Sequence, residues 1–373
     1  MANEVEKNCE QPLNVCFVSL DAYPLFNPSF GGNHGGSEID AYMTGTKLAK
    51  DSRFRVTFIT ANSCQGSEEI INGIRLIKCD GLNKNMLLAG VSLWQAMKRA
   101  DCNIYFRKTP TLPTFLAALF CRLKGKLFVY RCASANNCNG EYIRQHWFKG
   151  GLFKWSLKQA AVVMVQNRTD VELLKQTTGI NSVFIPNGHR LTLLPELPRD
   201  GILWVGRSTA VKRPDLFIEL AKQTPQQRFV MVCEQCSENW HYNRLVEEAQ
   251  QVSNIEFHKS VPFAKINSFF QCAKIFVNTS DFEGFPNTFI QACAAGVPIL
   301  SLNTNPDGFL EKYRCGICSK GNWADFIRHA TTLLDSKIQS EYGQNGRKYV
   351  AENHDIEKII EQYKKLFFAA KKN

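Results

Sequence analysis

The sequence has no run of apolar residues long enough to cross a bilayer. Its longest uncharged, apolar-rich run, Thr109–Cys121, contains two prolines and falls short of a transmembrane helix. The opening residues, Met1–Gln11, are polar and acidic and lack the apolar core of a secretory signal peptide. Histidine is scarce, at 7 of 373 residues. Neither C-x-x-C pair, Cys233/Cys236 or Cys315/Cys318, has a histidine pair nearby, so a metal site is not expected. No G-x-G-x-x-G falls in register after the first strand, which argues against a dinucleotide cofactor. Internal repeats and low-complexity tracts are also missing.

What is present describes a globular chain of two domains: 373 residues, 44% of them hydrophobic. Fourteen cysteines are scattered through helix-like and strand-like segments, which suits free thiols in a reducing, cytoplasmic compartment. The net charge of +11 is uneven, with 23 Lys and Arg against 15 Asp and Glu in residues 1–198. A basic first half suits an anionic partner such as an acidic lipid or an anionic glycan. Nucleic acid ranks last, because no nucleic-acid-binding motif accompanies the charge. Glu141–Lys158 interleaves Tyr142, Trp147, Phe148, Phe153 and Trp155 with Arg144, Lys149, Lys154 and Lys158. Two readings stay open there: a core-facing helix with a solvated basic side, or a patch for a membrane surface or acceptor lipid.

Strand-like and helix-like segments alternate, which predicts α/β architecture with doubly wound sheets. Strands are expected at Leu13–Leu20, Arg55–Thr60, Ile74–Lys78, Asn103–Phe106, Lys126–Tyr130 and Ala161–Gln166. A helix is expected at Ile39–Ala49, with Ser37 as its cap. Pro195 and Pro198 stiffen a linker, so the first domain is placed at 1–198 and the second at 199–352. Ile356, Ile359, Ile360, Tyr363, Leu366 and Phe367 recur at helical spacing in a final segment, 353–373.

The most informative stretch is Ser280–Ser301, which reads S-D-F-E-G-F-P-N-T-F-I-Q-A-C-A-A-G-V-P-I-L-S. Gly284 and Pro286 mark a loop, Asn287–Ala295 a short helix ended by Gly296, and Val297–Leu302 a buried strand. A loop running into a helix N-terminus suits a phosphate. Glu283 stands just before that terminus, and Gln291 lies one turn after Asn287 on the same face. A second candidate follows the strand Ile202–Val205, where Gly206, Arg207 and Lys212 bring a guanidinium and an ammonium suited to two phosphates. In the first domain, G-G-N-H-G-G offers a glycine loop before a helix.

Ser280–Ser301 resembles the retaining glycosyltransferases of family GT4, which have the GT-B fold of two Rossmann-like domains facing across a cleft. Glu283, Gly284, Phe285, Ala292, Ala294, Gly296 and Pro298 fit that family's pattern, while Gln291 replaces its second glutamate. The resemblance implies a nucleotide diphosphate sugar as donor and a hydroxyl of a glycan or lipid-linked acceptor, in cell-surface polysaccharide synthesis. It implies catalytic roles for Glu283, Arg207 and Lys212, with Gly206, Gly284, Phe285, Pro286, Asn287, Thr288 and Gln291 binding the donor. It places Gly35 and Gly36 against the diphosphate and acceptor, with His34 added to that loop. Ser260–Phe263 would meet the donor base, and the final segment would cross back onto the first domain. Many members carry a histidine after the strand ending near Tyr130; here Arg131 and Ser134 are the nearest polar groups. Neither a metal nor another cofactor is implied. The location expected is cytoplasmic, including the cytoplasmic face of the membrane. Competing readings are a non-catalytic nucleotide-sugar binder and a GT-B epimerase.

Overall fold

The computed structural model describes residues 11–30, 35–61, 66–80, 85–191, 197–236 and 239–372. Pro195 of the expected linker, His34 and residues 1–10 lie outside the described residues. Within them, two sheets form. The first contains β1 (Leu13–Val18), β2 (Phe54–Thr60), β3 (Glu68–Ile71), β4 (Ile74–Lys78), β5 (Ile104–Lys108), β6 (Leu127–Arg131), β7 (Val162–Val165) and β8 (Val183–Phe184). Their order is β3-β4-β2-β1-β5-β6-β7-β8, and every pairing is parallel except β3 with β4. The second contains β9 (Ile202–Arg207), β10 (Phe229–Glu234), β11 (Ile255–His258), β12 (Ile275–Asn278), β13 (Ile299–Ser301) and β14 (Gly316–Cys318). Its order is β11-β10-β9-β12-β13-β14, parallel throughout.

Parallel neighbours need crossover connections, and the crossover helices cover both sheet faces. That is why the strands are apolar on both sides: in β1 only Asn14 escapes full burial. One face of the first sheet packs against the helices Met86–Ala100, Leu112–Lys124 and Trp147–Gln159. The other packs against Gly36–Leu48 and the final helix, Ile356–Lys372. Ile356, Ile359, Ile360, Tyr363 and Phe367 join Phe17, Phe58 and Phe106 in that core. The chain thus ends on the sheet where it began.

Two strands are added to those expected, and two local expectations are corrected. β3 occupies a stretch with no expected strand; its hairpin turns on Asn72-Gly73, whose φ angles of 51° and 76° are those an N-G turn adopts. β14 adds an edge to the second sheet, and at three residues it is too short to show a period. Ser37 is not a cap. The helix starts at Gly36, and the Glu38 carboxylate accepts the Gly35 N–H at 2.9 Å. Glu141–Lys158 is not continuous but breaks at His146 into Glu141–Gln145 and Trp147–Gln159. Gly150 seats this break, since a Cβ there would fall 2.6 Å from Ile143 Cα.

Phe367 is fully buried among first-sheet residues, so Phe367→Ala is expected to cost about 3–5 kcal/mol. Denaturant unfolding followed by a probe in the first domain should show an earlier midpoint. An unchanged midpoint would mean that the final helix does not share that core.

Candidate functional site

The carboxyl ends of both sets of strands surround one cavity of about 490 Å³, in the range of small-ligand sites. From the first domain it takes Gly35 and Gly36 after β1, Lys108 and Thr109 at the end of β5, and Ala133 and Ser134 after β6. From the second it takes Gly206 and Arg207 at the end of β9, Lys212 after it, Glu234 at the end of β10, and Val261 and Phe263 after β11. The loop after β12 supplies Glu283, Gly284, Phe285, Pro286, Asn287, Thr288 and Gln291. Open α/β sheets bind ligands at this edge because the loops there are not consumed by strand pairing.

Arg207 closes β9, and its guanidinium reaches the opposite domain: a Cβ on Gly35 would lie 3.3 Å from Arg207 Cζ. A Cβ there would meet the Glu38 carboxylate first, at 2.8 Å, so Gly35 leaves room for its own helix's capping carboxylate as well as for the second-domain cation. Lys212 ends a short turn tied to the neighbouring loop by two bonds. Thr279 Oγ1 donates to Lys212 O at 2.7 Å, and Asp281 N to Val211 O at 2.9 Å. That tie brings Lys212 Nζ onto Glu283 Oε1 as an ion pair. Ser280 Oγ donates to the same carboxylate oxygen at 2.8 Å and is itself 1% exposed. Glu283 is thus aimed by a buried hydroxyl and a cation together.

Residues 284–287 are held mostly by the other domain. Gln166 Oε1 accepts the Phe285 N–H at 3.1 Å, and Asn167 Nδ2 donates to Gly284 O at 3.3 Å. Asn187 Nδ2 donates to Phe285 O at 3.0 Å and Asn287 Oδ1 at 2.8 Å. Asn287 Nδ2 returns a bond to Gly36 O at 3.1 Å. The helix Asn287–Ala295 starts at the cavity and ends at Gly296, with φ 69°. Its N-terminal dipole is directed at the same space as Arg207 and Lys212. Gln291, 9% exposed, sits one turn in.

Arg131 is corrected. It does not line the cavity but is fully buried behind it, because its side chain leaves β6 towards the final helix. Arg131 Nε lies 3.1 Å from Asp40 Oδ2, Nη2 donates to Asn187 Oδ1 at 2.5 Å, and the guanidinium stacks 5.8 Å from the Tyr363 ring centroid. Lys108 Nζ takes the same Asp40 oxygen at 2.6 Å. Burial pushes the Asp40 carboxyl up, but Lys108 and Arg131 more than offset it and hold the group below the usual carboxylate range. Lys108, Gln166 and Asn187 are site residues that local motif reading misses, since their partners lie far away in sequence, whereas Ser280 is only three positions from Glu283. The N-G at Asn187-Gly188 after a strand is the one signal pointing to any of them.

A second cavity, about 320 Å³, opens behind the second sheet beside Arg199 and Arg347. Both guanidiniums there bond the carbonyls that end the helix Asn287–Ala295: Arg199 to Ala295 and Gly296, Arg347 to Ala295. Their role is to cap that helix.

Solved structures share this fold. Sucrose-phosphate synthase of Thermosynechococcus elongatus superposes with a TM-score of 0.78 at 18% identity, covering 96% of this chain and 100% of that one. HepE of Anabaena, solved with UDP and glucose, gives 0.71 at 13% identity over 95% and 98%. The fold is GT-B. Residues 195–349 match the family model described as Glycosyl transferases group 1. In this GT-B chain that span contains Arg207, Lys212, Glu283 and Gln291. A Haemophilus influenzae protein described as an uncharacterized glycosyltransferase is 25% identical over 209 residues, 51% of this chain and 55% of that protein. The chain thus aligns with about half the length of that curated relative.

Removing the Asp40 carboxylate would leave Lys108 and Arg131 buried without their shared counter-charge. Asp40→Asn is expected to cost about 3–5 kcal/mol, and equilibrium unfolding would measure it; a loss under 1 kcal/mol would mean that the cluster is hydrated.

The GT-B crossing also predicts a pH effect. His354 is buried where the chain returns to the first domain; its Nδ1–H donates to Asn187 O at 2.8 Å, and Nε2 accepts from Tyr349 Oη at 3.2 Å. Burial pushes this histidine down to about 4. The unfolded chain binds a proton near pH 6.5 and the folded chain does not, so stability is lost as pH falls. Between pH 7 and pH 5 this group's share of the loss is expected to approach about 2 kcal/mol; burial pushes His189 down to about 4 as well, so His354→Gln should lessen the slope and not abolish it in denaturation measured at both values.

Proposed function

We propose that this protein is a retaining glycosyltransferase. It would move a sugar from a nucleotide diphosphate sugar to an acceptor hydroxyl on a glycan or lipid-linked molecule. One observation carries the reading: Arg207, Lys212, Glu283 and the start of the helix Asn287–Ala295 line one cavity between two Rossmann-like domains. The chemical difficulty in sugar transfer is the departing diphosphate, on which negative charge grows as the glycosidic bond breaks. A guanidinium, an ammonium and a helix N-terminus stabilise that charge in place, without reorganising as it forms.

Glu283 supplies the opposite charge, on the sugar side. It is oriented by Ser280, and its carboxylate favours the oxocarbenium-like character of the ring carbon. An incoming diphosphate competes with Glu283 for Lys212, which frees one lone pair of the carboxylate for a sugar hydroxyl. Retention follows if the acceptor attacks from the face the diphosphate leaves, with a phosphate oxygen accepting the hydroxyl proton. No metal enters this scheme. Val261 and Phe263 line the cavity after β11 and would form an apolar shelf for the donor base. The basic first domain supports an anionic or lipid-linked acceptor in cell-surface polysaccharide synthesis, with the protein working in the cytoplasm. Among the described residues no helix is long and apolar enough to cross a membrane.

Gln291 favours a second reading, a binder that holds a nucleotide sugar without turning it over. An amide there bonds ribose hydroxyls without the charge-assisted strength of a carboxylate. A GT-B epimerase is distinguished by interconverting the donor sugar when no acceptor is present.

UDP and glucose in the HepE structure make UDP-glucose the first donor to test, followed by GDP- and ADP-sugars. Thermal shift should rise for the true donor, by about 2.7 kcal/mol of apparent stability at a hundred times Kd. Glu283→Ala should fold normally and lower donor turnover by roughly a hundredfold or more. Near-normal kinetics in that variant would remove Glu283 from the chemistry. Binding without turnover, unrescued by Gln291→Glu, would select the binder.

A further inference from the structure

We propose that the first domain docks on an anionic bilayer surface through apolar clusters at the starts of two helices that flank a third. Trp147 is 87% exposed and Phe148 60%. They open the helix Trp147–Gln159, where apolar residues would otherwise face the core. At the start of Met86–Ala100 the same occurs: Met86, Leu87, Leu88 and Val91 are 71%, 76%, 61% and 54% exposed. Apolar side chains scattered singly on a surface need no explanation, but two clusters on helix starts do.

The topology puts these clusters on one edge. Each helix follows a parallel strand and runs back along the sheet, so all three begin at the carboxyl edge of the first sheet. Leu112–Lys124 lies between the other two. A Cβ on Gly90 would sit 3.5 Å from Leu116 Cδ1, and the Phe115 and Trp155 rings are 5.2 Å apart. These contacts set the relative heights. Gly90 and Leu116 are each four residues past their helix starts. Phe115 is three residues in and Trp155 eight. The Trp147 end therefore stands about five residues, or on the order of 7 Å, proud of its neighbour. It is a raised aromatic tip beside an aliphatic shelf.

Charge selects the occupant. Residues 141–158 carry Arg144, Lys149, Lys154 and Lys158 against the single carboxylate of Glu141. Arg144 and Lys149 are exposed beside Trp147. Aromatic residues flanked by cations insert at the level of lipid headgroups, and the cations are drawn to acidic lipids. The same carboxyl edge carries Gly35, Lys108 and Ser134 of the cavity. A bilayer held there places headgroup-level acceptors beside the cavity opening. Docking itself rests on surface chemistry alone and not on the proposed activity.

The full-length protein would be sedimented with vesicles of phosphatidylcholine alone and with phosphatidylglycerol added. Binding is expected on the anionic vesicles, weakening as salt rises. Trp147→Ser with Phe148→Ser, and separately Leu87→Ser with Leu88→Ser, should each lower the partition coefficient at least about tenfold. Because these side chains are exposed, the melting temperature and any nucleotide-induced thermal shift should stay as in the parent. Absence of binding to anionic vesicles at low salt overturns the proposal, as does equal binding by both double variants. A dimer that dissociates in the variants, with no vesicle binding by the parent, would assign the clusters to a second copy of the chain instead. Nucleotide-sugar turnover in detergent-free buffer is read separately, so either conclusion can fail without the other.

Discussion

The hydrogen bonds that residues 284–287 make across the cleft are the constraint on which this site depends. A buried backbone N–H or C=O has to find a partner. Here the Gly284 and Phe285 backbone groups find theirs in Gln166, Asn167 and Asn187 of the opposite domain, and the Asn287 side-chain amide bonds Asn187 and Gly36 O there. The loop that presents Glu283 therefore takes its shape only while the domains are together. Asp307 adds a clasp, accepting the Arg168 and Thr169 N–H groups at 2.9 Å each, at the start of a first-domain helix. Bonds of this kind contribute about 1 kcal/mol net apiece, so the closed seam is held by a few kcal/mol and can open to exchange ligands.

Behind the seam the order is imposed by charge. Asn187 is oriented by Arg131, Arg131 by Asp40, and Asp40 by Lys108, all inside the protein. Two cations share one carboxylate, which fixes the carboxylate firmly and leaves Arg131 Nη1 without a hydrogen-bond partner among the described residues. Tyr363 of the final helix closes the cluster from below. The returning helix thus does more than fill a core. Its ring sits under the arginine that aims the amide holding the cavity loop, which links the end of the chain to the geometry of the site.

The parts of this arrangement that were legible in the sequence are those whose meaning is local. Ser280–Ser301 could be read as loop, helix and strand because each punctuation mark is a neighbour of what it punctuates, and Gly296 does adopt the left-handed backbone that ends the helix. Strand alternation likewise exposed the two parallel sheets. The Asn72-Gly73 turn was equally local, yet β3 was overlooked because Glu68-Glu69-Ile70-Ile71 does not alternate. Arg131 was misplaced for a different reason. At the end of a strand the side chain can leave by either face, and only the packed position of the final helix decides which. Lys108 and Gln166 were invisible because a polar residue at the end of a strand gains meaning from partners as distant as Phe285, 119 positions beyond Gln166, while Asn187 showed only as half of an N-G pair.

Charge explains why Gln291 can stand where the resembling family has a glutamate. The cavity is lined by three cations, Lys108, Arg207 and Lys212, and two carboxylates, Glu234 and Glu283. Lys108 is engaged by Asp40 outside that lining, so the free balance between the domains is close to neutral. A third carboxylate at position 291 would make the space net negative around a diphosphate that is itself negative. It would gain a strong bond to a sugar hydroxyl and lose attraction for the phosphates. Glutamine makes the opposite exchange: it keeps the acceptor oxygen, adds N–H donors, and brings no further negative charge against Arg207, Lys212 and the helix dipole. In the proposed reaction, the substitution would shift recognition away from the ribose and towards the diphosphate.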